Sequence, residues 1–216
     1  MGSYLIGYVP PEKNHGHADP LLEELTYGDK GDNGKKLWNH VQKGDHIFFH
    51  TTIRKKRYLT AFYVVEAVML VKDAKNNPDI FMKYNNPHLK KELLDPFETI
   101  IFGNLITSRI LEAPLEITEE LLERLSRKAN LNKEQEMQAA ISSALRSWKA
   151  LSDADVTLLK EQINTNQNSS RLARRLFSTE EIFQVAERDI ESFVIEHPEV
   201  FGQDIRVHKS QHVLKK

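Results

Sequence analysis

The sequence predicts an α+β fold in which a β-rich first half is followed by a helical second half. Between Ser3 and Ile117 the apolar residues form short β-favouring runs, and turn residues or prolines separate these runs. From Thr118 onwards the apolar residues recur at the spacing of amphipathic helices. The change of period at this point divides the chain into two parts.

The composition is that of an ordinary globular protein. The chain has 216 residues, of which 40% are apolar and 28% charged, so it can bury a core. Cysteine is absent, which excludes disulfides and thiolate metal sites from this sequence. We find no bilayer-length apolar run and no signal-peptide pattern, and therefore expect a cytoplasmic protein with no membrane partner. The net charge is −1, so contact with nucleic acid requires a local basic surface.

The β-favouring runs of the first half are predicted strands. They are rich in β-branched and aromatic residues and are bounded by turn residues. The predicted strands cover residues 3–10, 46–50, 58–71, 80–84, 99–102 and 109–117. Short helices are expected over residues 20–25 and 88–94. The long connection over residues 12–36 is a candidate functional loop.

Amphipathic spacing predicts the helices of the second half. Thr118 is the expected N-cap of the first helix, residues 134–151 form the second, and Ser152 begins a capping signal for the third. Residues 164–170 carry no apolar side chain and are the expected linker. A further helix is expected over residues 178–198. We therefore expect a β-rich domain over residues 1–117, a helical segment and linker over residues 118–170, and another piece over residues 171–216.

A glycine turn leads into one of the apolar strands. Residues 43–45 are Lys-Gly-Asp, and the strand over residues 46–50 follows at once. Taken alone, this is a core strand after a turn. Together with residues 102–104 and 108–115, the order of elements over residues 3–117 resembles the PUA-like superfamily, which includes EVE and ASCH domains. The resemblance implies a small, partly closed β-barrel with flanking helices that binds RNA or recognises modified DNA bases.

The resemblance also implies a base pocket at the open end of the barrel. A flipped base needs aromatic faces and a few hydrogen-bonding groups. Tyr8 and Trp38 are the favoured aromatic residues because both border loops, although an aromatic side chain on a strand can equally belong to the core. The full predicted pocket consists of Tyr8, Trp38, Phe48, His50, Thr51, Asn104 and Ser108.

Four consecutive cations form the tip of the hairpin predicted over residues 46–71. Arg54, Lys55, Lys56 and Arg57 are well placed to contact phosphates, and Arg109 is a further candidate. The alternative is a solvated turn that protects the hairpin from edge pairing. The concentration of charge in a chain of net charge −1 favours nucleic acid.

The loop before Pro20 contains His15, His17 and Asp19 at alternating positions. In an extended chain these side chains would share one face and could bind a metal ion through nitrogen and oxygen. We favour a polar loop in which Asp19 caps a helix beginning at Pro20, or a loop that covers the base pocket. The prediction is therefore no metal site and no cofactor. Nucleotide chemistry at this loop is the least favoured function.

The C-terminal part carries a second resemblance. In residues 187–201, acidic residues, an apolar pair and Glu-x-Pro-Glu resemble the opening helix of PD-(D/E)XK restriction-like nucleases. The simpler interpretation is an amphipathic helix ended by Pro198. In these nucleases later strands carry a catalytic Asp and Glu-x-Lys, and this chain ends at Lys216 without them. The resemblance implies a truncated nuclease start over residues 178–216, no catalytic residue in this chain, and Mg²⁺ only if a nuclease domain follows.

The predicted function is nucleic-acid binding. The favoured hypothesis is a module that recognises a modified or flipped DNA base and directs an attached nuclease in defence against foreign DNA. The alternative is an RNA-binding module of a modification or translation-associated protein. The chain itself is not expected to be an enzyme, and a homodimer stays an open alternative.

Overall fold

The computed structural model describes residues 2–93, 95–126 and 136–166. Within these ranges the chain forms both helices and strands, which confirms the α+β class. The strands are β1 (Ser3–Gly7), β2 (Thr26–Asp29), β3 (His46–Ile53), β4 (Lys56–Leu70), β5 (Thr99–Gly103), β6 (Arg109–Glu116) and β7 (Lys149–Leu151). The helices are α1 (Gly31–His40), α2 (Val71–Asn76), α3 (Pro78–Lys83), α4 (Pro87–Lys90), α5 (Glu119–Arg124), α6 (Met137–Ala144) and α7 (Asp153–Asn166).

The described strands form one sheet in the order β2-β5-β4-β3-β1-β7, and β6 also pairs with β4. The strand β4 has 15 residues and organises the sheet. Both β3 and β6 pair with its first half, and β5 pairs with its second half. The sheet does not close into the expected barrel, because β2 and β7 are the two ends of the order in the described part of the chain.

Alternating side chains of the strands build a core on each face of the sheet. Leu5, Phe48 and Phe62 face α5, α6 and α7 in one core. Ile6, Phe49 and Tyr63 face the other way, toward β2 and α1. The Tyr27 ring on β2 lies 5.2 Å from the Phe49 ring, so β2 folds over β3. A smaller core lies between α2, α4 and β5.

The helical segment after residue 118 belongs to the same core as the β-rich part. Leu122, Ile141 and Leu159 pack against strand residues, and β7 pairs with β1. All the described residues lie within one compact unit, Met1–Leu172. The predicted nuclease-like segment lies outside the described residues. None of the described helices combines the length and the apolarity that crossing a bilayer requires.

Two of the element predictions were wrong and two short strands were missed. Residues 80–84, predicted as a strand, mostly belong to α3, because the Asn77 side chain caps the N–H groups of Asp79 and Ile80. The predicted helix over residues 134–151 ends at Ala144, and β7 follows it. The long connection over residues 12–36 contains β2 and the start of α1.

The predicted caps at Thr118 and Ser152 and the predicted hairpin are confirmed. The predicted helix cap at Asp19 is wrong, because the short helical turn there covers Leu22–Glu24 and Asp19 accepts from the Gly28 N–H instead. Thr118 accepts a hydrogen bond from the Leu121 N–H at 3.2 Å. Ser152 and Asp155 cap α7 reciprocally, since each side chain accepts from the backbone N–H of the other. Ile53 pairs with Lys56, which leaves Arg54 and Lys55 as a two-residue turn.

Candidate functional site

One end of the sheet brings together part of the predicted pocket and the predicted phosphate contacts. We call this region, consisting of Tyr8, residues 50–60 and their hydrogen bonds, the hairpin end. Tyr8 follows β1, and its N–H donates to the carbonyl of His50 at 2.9 Å. The Thr51 hydroxyl donates to the carbonyl of Tyr8 at 3.0 Å. We call the turn formed by Arg54 and Lys55 the cationic turn. It lies on the same hairpin as His50 and Thr51.

A bulge at Thr60 shapes the hairpin end. The register of β4 skips this residue against both β3 and β6. The Thr60 hydroxyl donates to the carbonyl of Phe49 at 3.3 Å, so the Tyr8 hydroxyl, 3.1 Å away, donates to Thr60. Burial raises the pKa of the Tyr8 phenol above its ordinary value, which keeps this proton in place. Bulges often re-aim side chains next to functional sites.

His50 is the most unusual residue of the hairpin end. Its side chain is 0% exposed, and neither ring nitrogen has a hydrogen-bond partner among the described residues. Burial, together with the nearby charge of Arg57, lowers its pKa from 6.5 to about 3. The ring is therefore neutral at physiological pH, with one donor and one acceptor. A buried polar group without a partner costs about 1–3 kcal/mol and calls for an explanation.

The four cations of the tip lie in different surroundings. Arg54 and Lys55 are exposed and form the turn itself. Lys56 makes an ion pair of 2.9 Å with Glu116 on β6. Arg57 is half-buried, its Nε donates to Ser142 on α6 at 3.4 Å, and burial lowers its pKa. The predicted fifth cation, Arg109, donates to the Asn164 side chain at 2.9 Å.

The other predicted pocket residues lie elsewhere or have structural partners. Phe48 is 0% exposed within a core. Asn104 holds a turn by accepting from the N–H groups of Ile106 and Thr107. Ser108 accepts from the Val64 N–H at 3.0 Å where β5 and β6 meet along β4.

Trp38 is 43% exposed on α1, so the alternative that it is a core residue does not hold. It lies two residues before His40, whose carbonyl lies against Gly2 at the beginning of β1. Tyr8 follows the other end of that strand. At about 3.3 Å per residue, the strand separates the two aromatic residues by roughly 20 Å.

A second polar cluster lies away from the hairpin end. Ligand atoms of His17, Asp19 and His88 all lie within 4.8 Å of one another. The Nε2 atom of His88 is 3.2 Å from Oδ2 of Asp19, and its Nδ1 atom contacts Oε1 of Glu98. We call these four residues the histidine–carboxylate cluster. His15, on the same loop, is exposed and is not one of them.

The surroundings hold this cluster in place. Oδ1 of Asp19 accepts from the Gly28 N–H and from the Asn86 side chain, each at 3.1 Å. Asn86 also donates to Thr26 on β2 at 3.1 Å. Burial alone would lower the pKa of His88, but the hydrogen bonds and charges of Asp19 and Glu98 raise it above the ordinary value.

The sequence interpretation missed Thr60, His88 and Glu98. A local signal exists for His88, because Asn86 and Pro87 predict a helix start, and this cap is present. The sequence does not indicate that His88 faces Asp19, since this contact joins residues far apart in the chain. The bulge at Thr60 likewise depends on the pairing of β4 with two partners.

The chain matches one known protein family and several solved structures. A family model described as "Nucleotide modification associated domain 3" matches residues 7–195. No curated protein matches the sequence. A hypothetical protein from Leishmania major aligns with a TM-score of 0.43 and 12% identity, covering 77% of this chain and 98% of the other. The ASCH protein from Zymomonas mobilis aligns with a TM-score of 0.40 and 13% identity, covering 74% and 94%.

Proposed function

The chain belongs to the nucleotide modification associated domain 3 family, and from this premise we propose that it is a nucleic-acid-binding module. The finer proposal is that the hairpin end recognises a modified or flipped DNA base. One observation carries it: His50 is buried at the hairpin end, and both of its ring nitrogens lack partners among the described residues. Recognition of a base edge depends on hydrogen bonds, and unpartnered polar groups in a water-free environment can form strong ones.

Tyr8 supplies the other interactions of the hairpin end, on the opposite face of the sheet from His50: Tyr8 packs with Ile6 and Phe49, whereas the His50 ring lies beside Gly7, on the face of Phe48. Tyr8 offers a partly exposed aromatic ring, on which a base can stack for about 1–3 kcal/mol. Its hydroxyl donates to Thr60 and keeps its own oxygen as an acceptor. A base stacked on Tyr8 would meet the Tyr8 and Thr60 hydroxyls together with the aromatic face. His50 is 0% exposed, so a base would contact its ring nitrogens only if the residues that cover the ring move.

The cationic turn adds phosphate contacts beside this group. Arg54 and Lys55 are exposed, whereas Lys56 is paired with Glu116 and Arg57 is half-buried. We therefore assign the main phosphate contacts to the first two. Such contacts position the nucleic acid and carry no sequence information, so they complement recognition of a base.

The proposal includes an attached nuclease that the module directs against foreign DNA. Its support is the resemblance of residues 178–216 to the start of a restriction-like nuclease. This part lies outside the described residues, so the support comes from the sequence alone. The nuclease activity would reside in a further domain with its own Mg²⁺ site.

Base recognition is tested with oligonucleotides that differ in one base. The probes are duplex DNA carrying 5-methylcytosine, 5-hydroxymethylcytosine or N6-methyladenine, the plain duplex, and RNA of the same sequence. We expect tighter binding to one modified duplex than to the plain one. Tyr8→Leu should reduce this preference by about 1–3 kcal/mol because it removes the ring, whereas Tyr8→Phe keeps the ring and most of the preference. Equal affinity for all duplexes would refute base recognition, and tighter binding to RNA would favour the RNA alternative.

The cationic turn can be neutralised without disturbing the hairpin. Arg54 and Lys55 have φ angles of 47° and 70°, as the two central residues of a type I′ turn do. Asn-Gly is the favoured sequence for this turn, so the double variant Arg54→Asn/Lys55→Gly should fold at least as stably as the natural chain. Nucleic-acid affinity should fall, and the slope of log K against log salt should flatten by up to about 1.8, at about 0.9 per lost contact.

The matched control is the double variant Lys72→Gln/Arg124→Gln. It removes the same charge from exposed positions on α2 and α5. Its salt slope should stay close to that of the natural chain. If both double variants flatten the slope equally, the effect comes from net charge, and the turn makes no specific contact.

A further inference from the structure

We propose that the histidine–carboxylate cluster binds a divalent transition-metal ion of the Zn²⁺ class through His17, Asp19 and His88. The inference is independent of base recognition, because none of these residues belongs to the hairpin end. It also changes the interpretation of the loop, since His88 takes the place of His15 as the third ligand.

The spacing of the ligand atoms suits such an ion. Zn²⁺ bonds to imidazole nitrogen and carboxylate oxygen at about 2.0–2.2 Å in tetrahedral sites. Two ligands of such a site therefore lie roughly 3.3 Å apart. The distance from Nε2 of His88 to Oδ2 of Asp19 is 3.2 Å, and all three ligand atoms lie within 4.8 Å of one another. Small movements of the His17 side chain would complete the site.

The residues that contact His88 and Asp19 are suited to be outer-shell partners of a metal site. A metal-binding histidine usually donates its second ring N–H to a carboxylate, which fixes the tautomer and the ring orientation. Glu98 contacts Nδ1 of His88 and leaves Nε2 facing Asp19. Oδ1 of Asp19 accepts two hydrogen bonds, from Gly28 and Asn86, so Oδ2 is the oxygen left for the ion.

The competing interpretation is a structural ion triad in which His88 bridges Asp19 and Glu98. Two observations favour the metal site. The 3.2 Å contact is longer than the 2.7–2.9 Å typical of charge-assisted hydrogen bonds. A structural triad of Asp19, His88 and Glu98 also leaves out His17, whose ring lies 6.0 Å from that of His88, centroid to centroid, and whose Nδ1 atom contacts Lys91.

The kinds of donor atom and their number indicate which metal ions the site can bind. Two imidazoles and one carboxylate suit Zn²⁺, Co²⁺ and Ni²⁺ better than Mg²⁺ or Ca²⁺, which prefer oxygen ligands. Three protein ligands leave a fourth position for water or an anionic oxygen. Nζ of Lys91 lies 2.9 Å from Nδ1 of His17, so the ion either binds His17 through Nε2 or displaces this ammonium group.

The test is metal binding by the full chain after dialysis against a chelator. Titration with Co²⁺ should give saturable visible absorption at one ion per chain, and Zn²⁺ should displace it. His17→Ala should weaken binding at least tenfold, whereas His15→Ala, two residues away on the same loop, should bind as the natural chain does. Glu98→Gln should weaken binding by about 10–100-fold, as loss of an outer-shell partner does.

Thermal stability gives a second, independent test of metal binding. Because an ion that binds the folded chain stabilises it, Zn²⁺ should raise the thermal midpoint of the natural chain and of His15→Ala, but not that of His17→Ala. His17 is partly exposed, so its replacement should leave the ion-free chain folded. Absence of saturable binding, or equal loss in His15→Ala and His17→Ala, would overturn the proposal and leave the structural triad.

Discussion

Replacing Gly28 with alanine is expected to destabilise the fold by about 3–5 kcal/mol, because the new methyl group would collide with a buried and fully engaged histidine. Gly28 lies on β2 opposite Ile100 of β5. A Cβ at this position would lie 2.5 Å from Cδ2 and 2.6 Å from Cγ of His88. Either the ring or the strand must then move.

The ring of His88 cannot move without loss. Hydrogen bonds on both ring nitrogens connect it to Asp19 and Glu98, and all three side chains are largely buried. Displacement of the ring would leave two buried carboxylates without this partner. Movement of β2 would instead break its pairing with β5. Both responses cost several kcal/mol.

Urea unfolding of the natural chain and of Gly28→Ala measures the effect. Gly16→Ala is the matched control, because a Cβ there meets open space and costs only the strain of a φ of 77°, about 1–2 kcal/mol. In a His88→Ala background, the cost of Gly28→Ala should fall by more than half. An unchanged cost in that background would show that the collision with His88 is not the cause.

Local signals in the sequence were sufficient for the hairpin and the helix caps. The caps at Thr118 and Ser152 depend on contacts within three residues. The hairpin of β3 and β4 joins neighbouring runs through a two-residue turn. Such features need only the chemistry of adjacent residues, so their prediction does not require the rest of the fold.

Long-range pairing accounts for the features that the sequence did not reveal. Thr26 on β2 pairs with Phe102, and Lys149 on β7 pairs with Leu5. Both strands are short, and neither has an apolar run of its own that marks it as a strand. The apolar run beginning at Ile80 fits a strand or a helix equally well, and the cap at Asn77 decides for the helix.

The residues of the candidate sites also differ in whether the sequence alone indicates that they lie close together. Tyr8, His50 and Thr51 meet because β1 lies parallel to β3, and their loop and strand-end positions indicated a shared end of the sheet. Trp38 was assigned to that end because it borders a loop, but it lies near the opposite end of β1. The disfavoured metal-binding interpretation of the loop named His15, His17 and Asp19, and the structure places His88 beside His17 and Asp19 instead of His15. The distance of His88 along the chain hides this contact from the sequence.

The other large effect concerns acid stability, which should depend strongly on His50. Its pKa is about 3 in the folded chain, against an ordinary value of 6.5. Between these two pH values the unfolded chain binds a proton that the folded chain does not. The free energy of unfolding therefore rises with pH in this range and is lost on acidification, by up to about 1.4 kcal/mol per pH unit.

His50→Leu removes this titration and fits the apolar environment beside Leu59, with which His50 pairs. The variant should be at least as stable as the natural chain at pH 7, because replacing an unpartnered polar ring by an apolar side chain removes a cost. Between pH 7 and pH 4 its stability relative to the natural chain should rise by about 3 kcal/mol. Urea unfolding at pH 7 and at pH 4 gives the difference in the free energy of unfolding between the two chains at each pH. The contributions of carboxylates that titrate in both chains cancel in these differences.

The cause of the shift can be separated by a second variant. Burial is the larger cause and the charge of Arg57 the smaller one, so Arg57→Gln should retain most of the acid sensitivity. Proton NMR of the His50 ring should show no titration between pH 8 and pH 5. A His50 that titrates near pH 6.5 would mean that solvent reaches the ring, and it would remove the dry, unpartnered imidazole on which the proposed base recognition depends.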